Sequence, residues 1–198
     1  MDKKLKLAVI GKPISHSKSP EIHQDFASQF DTKIEFKKDE VTPETLETWL
    51  ADFFKGAGKG VSITLPLKEA ALNYADEISD RARLASACNV IYSKDEKIFA
   101  DCTDGFGLIK DLEENLKVSL EDKKILILGA GGAARGIIPS IIEKKPAKLK
   151  VANRTESKAL LLREDLEAKV NLKEKNTIFE VGDLSYDFLL DDSYDLVI

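Results

Sequence analysis

The chain is short of cysteine, histidine and tryptophan, with two, two and one of each among 198 residues. Cys88 and Cys102 are too few for a disulfide framework and lack zinc-site spacing. A reducing, cytoplasmic setting is therefore expected, with no metal. No apolar run approaches the length of a membrane span, so no membrane partner is expected. The opening Met1-Asp2-Lys3-Lys4 is basic, but the apolar run after it is short and no small-residue cleavage site follows. A first strand is the expectation there. An excess of positive charge is also missing. Thirty Lys and Arg face 35 Asp and Glu, a net charge of −5, with both signs spread along the chain. No basic face accumulates to neutralise phosphates, which argues against nucleic acid as a partner. There is no internal repeat and no low-complexity segment.

What is present is a sizeable apolar fraction, 43% of the residues, arranged as alternating strand and helix patterns. Leu5 to Ile10 reads as a strand, ended by Gly11 and Pro13. Ser19-Pro20 reads as a helix start, with serine as cap and proline at the first helical position. Lys33 to Lys37 is a short strand. Thr42-Pro43 repeats the cap-plus-proline signal for a helix running to about Phe54. Gly60 to Thr64 is a strand, Lys68 to Tyr74 and Ile78 to Ala85 are helical, and Asn89 to Ser93 with Ile98 to Asp101 form a hairpin around Lys94-Asp95-Glu96. Gly105 to Leu116 is helical. A second unit then begins: strand Lys124 to Leu128, a glycine turn, helix Ala133 to Lys144, strand Lys148 to Ala152, helix Glu156 to Glu167 and strand Thr177 to Val181. This alternation predicts an α/β protein with mainly parallel sheets. The expected domains are 1–104 and 105–198. Tyr194 to Ile198 reads as the opening of a further strand. A natural domain rarely stops inside an apolar strand with its edge exposed, so the chain is expected to be a fragment and its second sheet incomplete.

Chemistry is concentrated in four places. Leu128-Gly129-Ala130-Gly131-Gly132-Ala133 follows a strand and opens a helix. Its glycines allow a tight turn and close approach to a pyrophosphate, and the helix N-terminus supplies N–H groups and a positive dipole end. The next strand ends in Ala152-Asn153-Arg154-Thr155, with Lys158 one turn on. An NAD site usually carries an acid here, whereas Arg154 can pair with a 2′-phosphate.

The other clusters have two readings each. In Ser15-His16-Ser17-Lys18-Ser19-Pro20 the hydroxyls suit a carboxylate, or Ser19 simply caps the helix. In Ser62-Ile63-Thr64-Leu65-Pro66-Leu67-Lys68 the lysine sits on the expected first helical turn, where the dipole disfavours a cation. It can serve as acid or base, or be an ordinary solvated lysine. Asn89 and Asp101-Cys102-Thr103-Asp104-Gly105 form the third cluster. Asp104 either caps its helix or holds a lysine or a hydroxyl. The two cysteines read as small buried thiols rather than nucleophiles.

Together these stretches resemble the shikimate dehydrogenase family. The matching segments are Gly11 to Pro20, Thr64 to Glu69, Ala87 to Val90, Thr103 to Gly107, Gly129 to Gly136 and Asn153 to Thr155, in the family's order across essentially the whole chain. The resemblance implies a substrate domain followed by an incomplete Rossmann-type NADP domain. It also implies reversible, NADP-dependent reduction of 3-dehydroshikimate to shikimate in aromatic amino acid biosynthesis. It assigns Ser17 and Ser19 to the substrate carboxylate, Thr64, Asn89 and Asp104 to ring hydroxyls, and Lys68 with Asp104 to proton transfer. Asp80 aligns with an acidic position near the nicotinamide. Gly129 to Ala133 would hold the pyrophosphate, and Asn153, Arg154, Thr155 and Lys158 the 2′-phosphate. A homodimer is left open.

Two departures stand out: Cys102 replaces the family's usual asparagine, and the family continues past Ile198. The alternatives are a quinate/shikimate dehydrogenase using NAD, a non-catalytic shikimate-binding fragment, and a dehydrogenase of the methylenetetrahydrofolate type. Arg154 and Thr155 disfavour the first and the Ser17-Lys18-Ser19-Pro20 cluster the last.

Overall fold

Apart from Lys6, Leu5 to Ile10 is apolar to its end, the pattern of a strand covered on both faces. In the computed structural model, which describes residues 4–190 and 193–198, this run is the β1 strand (Leu5–Gly11), and Ala8, Val9 and Ile10 are buried. Residues 1–3 of the basic opening lie outside the described residues. The chain divides into two units: one reaches Arg83 and resumes over Ala87–Cys102, the other holds Leu84–Ser86 and Thr103–Ile198.

In the first unit β1 is followed by α1 (Ser19–Gln29), β2 (Ile34–Glu40), α2 (Leu46–Lys55) and β3 (Gly58–Ile63). A short 3-10 turn (Ala70–Tyr74), β4 (Glu77–Ile78), α3 (Asp80–Ala85), β5 (Val90–Lys94) and β6 (Lys97–Asp101) complete it. The six strands lie in the order β2-β1-β3-β5-β6-β4. The β1–β2, β1–β3 and β4–β6 pairs are parallel, while β5 runs antiparallel to both β3 and β6. The expected hairpin is present. Asp95 and Glu96 take φ of 50° and 63° in its two-residue turn, the left-handed pair that matches strand twist.

Three local expectations are corrected. The α1 helix has Lys18, not Ser19, at its cap position. The Ser17 hydroxyl accepts the Ser19 N–H at 3.3 Å, so the serine two residues earlier meets the helix start. The Thr42-Pro43 signal makes a turn, closed by the Thr45 N–H on the Thr42 carbonyl at 3.1 Å, and α2 begins at Leu46. Ile78 is not helical. It pairs with Ala100 at the sheet edge while the Ser79 N–H reaches the Ala100 carbonyl at 3.0 Å, so edge pairing overrides the helical pattern and α3 starts at Asp80.

The end of β6 is clamped. The Asp101 carboxylate accepts the Ser79 hydroxyl at 2.6 Å, the Arg81 guanidinium through both oxygens, and the Cys102 N–H at 2.7 Å. Burial pushes the Asp101 carboxyl up, but the guanidinium, the hydroxyl and the N–H outweigh it and hold it below its ordinary 3.8.

The second unit opens with α4 (Asp104–Lys110), extended by a wider π-helical turn over Asp111–Asn115. It continues with β7 (Lys124–Leu128), α5 (Gly132–Glu143), β8 (Lys148–Ala152), α6 (Glu156–Glu167), α7 (Leu172–Lys175), β9 (Ile178–Gly182), α8 (Tyr186–Leu190) and β10 (Leu196–Val197). The four strands are all parallel in the order β10-β7-β8-β9. The short helices α7 and α8 have no clear periodic signal in the sequence. Ile125, Ile127, Leu149 and Val151 meet Ile138, Ile141 and Ile142 of α5 and Leu162 and Leu166 of α6 in one core. Each such side chain contributes roughly 1.5–3 kcal/mol by leaving water. The unusual core member is Lys150, with no exposed surface. Its ammonium donates to the Phe188 carbonyl at 2.6 Å, sits 4.3 Å from the Phe188 ring centroid and lies 3.7 Å from a Glu180 carboxylate oxygen, which ties α8 to the sheet. Helix α4 crosses α5 closely at Gly105, where a Cβ would strike the Ser140 hydroxyl and sit 2.8 Å from the Gly136 carbonyl oxygen. No helix among the described residues is long and apolar enough to cross a membrane.

Two outcomes follow. Gly105→Ala is expected to destabilise the second unit by about 1–3 kcal/mol through overpacking against α5. Thermal unfolding followed by circular dichroism reads this directly, and an unchanged midpoint would contradict the close crossing. Because the Asp101 carboxyl is held below 3.8, its stabilisation is whole above about pH 4 and is lost as pH falls through the folded-state value. Arg81→Leu is therefore expected to move the acid-unfolding midpoint to higher pH, and an unmoved midpoint would remove the clamp from the account.

Candidate functional site

In open α/β sheets ligands gather where parallel strands end and their loops turn back. In the first unit β1 and β3 end side by side. The Thr64 N–H reaches the Ile10 carbonyl at 3.0 Å, and the Lys12 N–H reaches the Leu65 carbonyl at 2.8 Å, so the loops after the two strands are tied together. The antiparallel β5 begins at the same end. The Asn89 carbonyl takes the Ile63 N–H at 2.8 Å, the Asn89 N–H goes to the Asp101 carbonyl at 3.0 Å, and the Cys88 N–H goes to the Lys68 carbonyl at 2.9 Å. Thr64, Lys68 and Asn89, from separate stretches of sequence, thus share one end of the sheet. All three are half-buried.

Ser17 and Ser19 belong to the loop that leaves β1 at this same end. Their hydroxyls lie 3.2 Å apart and both are half-buried, whereas His16 and Lys18 beside them are exposed. The pair presents adjacent hydroxyls at the start of an eleven-residue helix, where the N-terminal dipole favours an anion. Asp80 is exposed, the first residue of α3, just past the edge strand β4.

Lys68 does not lie on the first turn of a helix. Its carbonyl accepts the Cys88 N–H, and regular structure begins only at Ala70, so this lysine lies outside any helical first turn. Cys102, where the family usually has asparagine, is buried and donates its N–H to Asp101, while Cys88 is buried too, with no disulfide between them. Asp101 stands at the head of the third sequence cluster, but its bracing by Ser79 and Arg81, some twenty residues earlier, has no local signal in the sequence.

In the second unit Asp104 is the first residue of α4 and Thr103 occupies the cap position. A carboxylate there is favoured by the helix N-terminus. The glycine loop and the β8–α6 loop leave neighbouring parallel strands, with Leu128 opposite Ala152 in the register. The Gly129 N–H reaches the Ala152 carbonyl at 2.8 Å, and Gly129 takes φ of 128°, a conformation open in practice only to glycine. A Cβ at Gly129 or Gly131 would meet nothing within 4 Å, so the space over the loop is clear. The first intrahelical bond of α5 runs from the Arg135 N–H to the Gly131 carbonyl at 3.0 Å, leaving the Gly132, Ala133 and Ala134 N–H groups without intrahelical acceptors. This donor set fits a pyrophosphate.

Arg154, Thr155 and Lys158 are exposed around the start of α6, whose first residue is Glu156, and the two cations suit a 2′-phosphate. Asn153 is half-buried and turned the other way. Its Oδ1 accepts the Ala130 N–H at 3.2 Å and its Nδ2 donates to the Thr155 carbonyl at 2.8 Å. At the end of β9, Asp183 takes the Ser185 N–H at 2.9 Å, and hydrogen bonds from the Ser185 hydroxyl and backbone hold its carboxyl below the usual range.

Comparison with known proteins bears on both units. Residues 9–91 match the family described as shikimate dehydrogenase substrate binding domain, and residues 111–184 match shikimate / quinate 5-dehydrogenase. The shikimate dehydrogenase (NADP(+)) of Chromobacterium violaceum is 45% identical over 152 residues, covering 77% of this chain and 56% of that protein. That of Herminiimonas arsenicoxydans is 41% identical over 191 residues, covering 96% and 66%. The crystal structure of an Ael1 enzyme from Pseudomonas putida superposes with a TM-score of 0.81 at 38% identity, covering 98% of this chain and 68% of that one. The chain thus spans a little over half to about two thirds of its relatives' length. Both units are matched, in the family's order and over most of their residues, and the chain belongs to the shikimate dehydrogenase family.

Proposed function

We propose that this chain serves the reversible, NADP-dependent reduction of 3-dehydroshikimate to shikimate. The observation that carries the reading is the gathering of Ser17, Ser19, Thr64, Lys68 and Asn89 at one end of the first sheet, through backbone bonds between segments far apart in sequence. Those side chains are of the kinds needed for a small polyhydroxylated ring acid. Two hydroxyls at a helix start receive its carboxylate, and a threonine and an amide receive its ring hydroxyls. In the second unit the clear space over Gly129 and Gly131, and the exposed Arg154 just after the strand end where an NAD site usually carries an acid, support NADP as the cofactor.

NADPH, when bound, supplies the hydride to the ketone carbon. Lys68 gives a proton to the ketone oxygen as the charge on that oxygen grows, and takes it back in the reverse direction. Asp104, the first residue of α4, orients the lysine and a ring hydroxyl. The family resemblance assigns Asp80 to the nicotinamide side. The residues up to Arg83 with Ala87–Cys102 serve as the substrate part and those from Thr103 onward, with Asp104 at their head, as the cofactor part. The buried thiols of Cys88 and Cys102 accord with a reducing, cytoplasmic setting.

Lys68→Ala is expected to lower kcat by about 10²- to 10⁴-fold, the usual worth of a positioned acid, while shikimate affinity changes little. Near-normal kcat in the variant would end the role assigned to Lys68. Arg154→Ala is expected to raise KM for NADP⁺ by about tenfold or more and to leave KM for NAD⁺ unchanged, because only the 2′-phosphate loses a charge-assisted partner. Equal effects on both cofactors would point to the NAD-using quinate/shikimate alternative, and the comparison is made by following NADP⁺ and NAD⁺ reduction with shikimate and with quinate.

A further inference from the structure

We propose that Asn153 is a positioning residue for the glycine loop, acting on the pyrophosphate end of the dinucleotide and not on its 2′-phosphate. The inference rests on the NADP reading above and deepens it.

The Ala130 N–H lies inside the glycine loop, and Ala130 is only 4% exposed. A buried N–H needs an acceptor, and neither β7 nor α5 supplies one, because the loop turns away from both. Asn153 Oδ1 fills that need at 3.2 Å. The same side chain donates through Nδ2 to the Thr155 carbonyl at 2.8 Å, and its own backbone N–H reaches the Gly182 carbonyl at 3.0 Å. One residue therefore joins the loop after β7, the loop after β8 and the end of β9.

The two side-chain bonds demand an acceptor and a donor held at separate backbone groups. An amide offers both. An aspartate would offer two acceptors and set a lone pair against the Thr155 carbonyl. A single hydroxyl cannot span the two backbone groups. The missing acid at this strand end thus has a second cause besides the charge of the cofactor: the loop itself requires a donor there. Because the acceptor faces Ala130, the amide is oriented by the glycine loop, and the 2′-phosphate is left to Arg154, Thr155 and Lys158, whose side chains are exposed.

The consequence is a division of labour that binding can separate. Releasing Ala130 loosens the loop whose N–H groups face the pyrophosphate, a part common to NADP⁺ and NAD⁺ and absent from adenosine 2′-phosphate. The test is isothermal titration of the whole chain and its Asn153→Ala variant with each of these three compounds. The expected result is an affinity about tenfold weaker for NADP⁺ and NAD⁺ alike, the worth of a buried N–H left without its acceptor. Adenosine 2′-phosphate binding should be unchanged, and so should kcat at saturating NADP⁺. Arg154→Ala should give the opposite pattern, weakening NADP⁺ and adenosine 2′-phosphate and sparing NAD⁺.

A loss for adenosine 2′-phosphate equal to that for NADP⁺, or unaltered NAD⁺ affinity, overturns the inference. If the unsubstituted chain itself fails to bind NADP⁺, the cofactor reading falls and the inference with it. If it binds and Asn153→Ala binds equally well, the inference alone falls. Should Asn153→Ala fail to fold, Asn153→Ser, which keeps a small polar group, is put through the same three titrations with the same expected and overturning results.

Discussion

The parallel register of β7 and β8 is the constraint from which the second unit's chemistry follows. Leu128 stands opposite Ala152, so the two strands end level and their loops leave side by side. That alignment lets the Gly129 N–H reach the Ala152 carbonyl, and it forces the chain to reverse at once, which only the φ of 128° at Gly129 permits. The reversal aims the start of α5 back over the strand end. A slip of one residue would turn Ile125 and Ile127 away from Ile138, Ile141 and Ile142. The packing that stabilises the unit is therefore also what holds the register. Core and loop are not independent features, since the burial of four aliphatic strand residues decides where the N–H groups of Gly132 and Ala133 point.

The first unit solves a different geometric problem. Two parallel strands bring only two loops to one end of a sheet, and the cluster there draws on a third segment. The antiparallel β5 supplies it, because a strand running the other way starts where β3 stops. Asn89 precedes β5 and so meets Ile63, while Cys88 meets Lys68. The mixed sheet is thus a requirement of the cluster. The next strand returns to the same end, where Ser79 and Arg81 secure Asp101 and keep the Asn89 partner in place. The clamp stabilises through a partly buried carboxylate with four donors, a stronger arrangement than an exposed ion pair.

Much of this was legible in the sequence, for a physical reason. Parallel strands buried on both faces are written as mainly apolar runs, and Lys124 to Leu128, apolar after its first residue, needs no partner to be recognised. The glycine loop is legible because φ restricts the residue types. What escaped was decided by tertiary contact. Ile78 sits in a helical pattern, but the vacant edge beside Ala100 captured it. Lys68 sits in a helical pattern too, but Cys88 took its carbonyl. The Asp101 clamp joins residues some twenty positions apart, a separation no local pattern encodes. Lys150 is a polar strand residue, and its complete burial goes with the Phe188 carbonyl and ring and the Glu180 carboxylate around its ammonium.

Asn153 reads as a ligand residue in sequence, while its side chain bonds to two backbone groups of the protein itself. It stands between Ala152, which is pure core, and Arg154, which is exposed, at the point where a strand becomes a binding loop. A residue there must either reach outward to the ligand or inward to the neighbouring loop, and the competition is set by which backbone groups lack partners. The Ala130 N–H is buried and the Thr155 carbonyl turns inward, so the inward bonds prevail. Under the proposed reading, discrimination between dinucleotides rests on two neighbouring residues with separable duties: Arg154 for the charge that differs between them, and Asn153 for the shape of the loop that both would use. A change of cofactor preference at this strand end has to respect the loop's hydrogen bonds before it can address the phosphate.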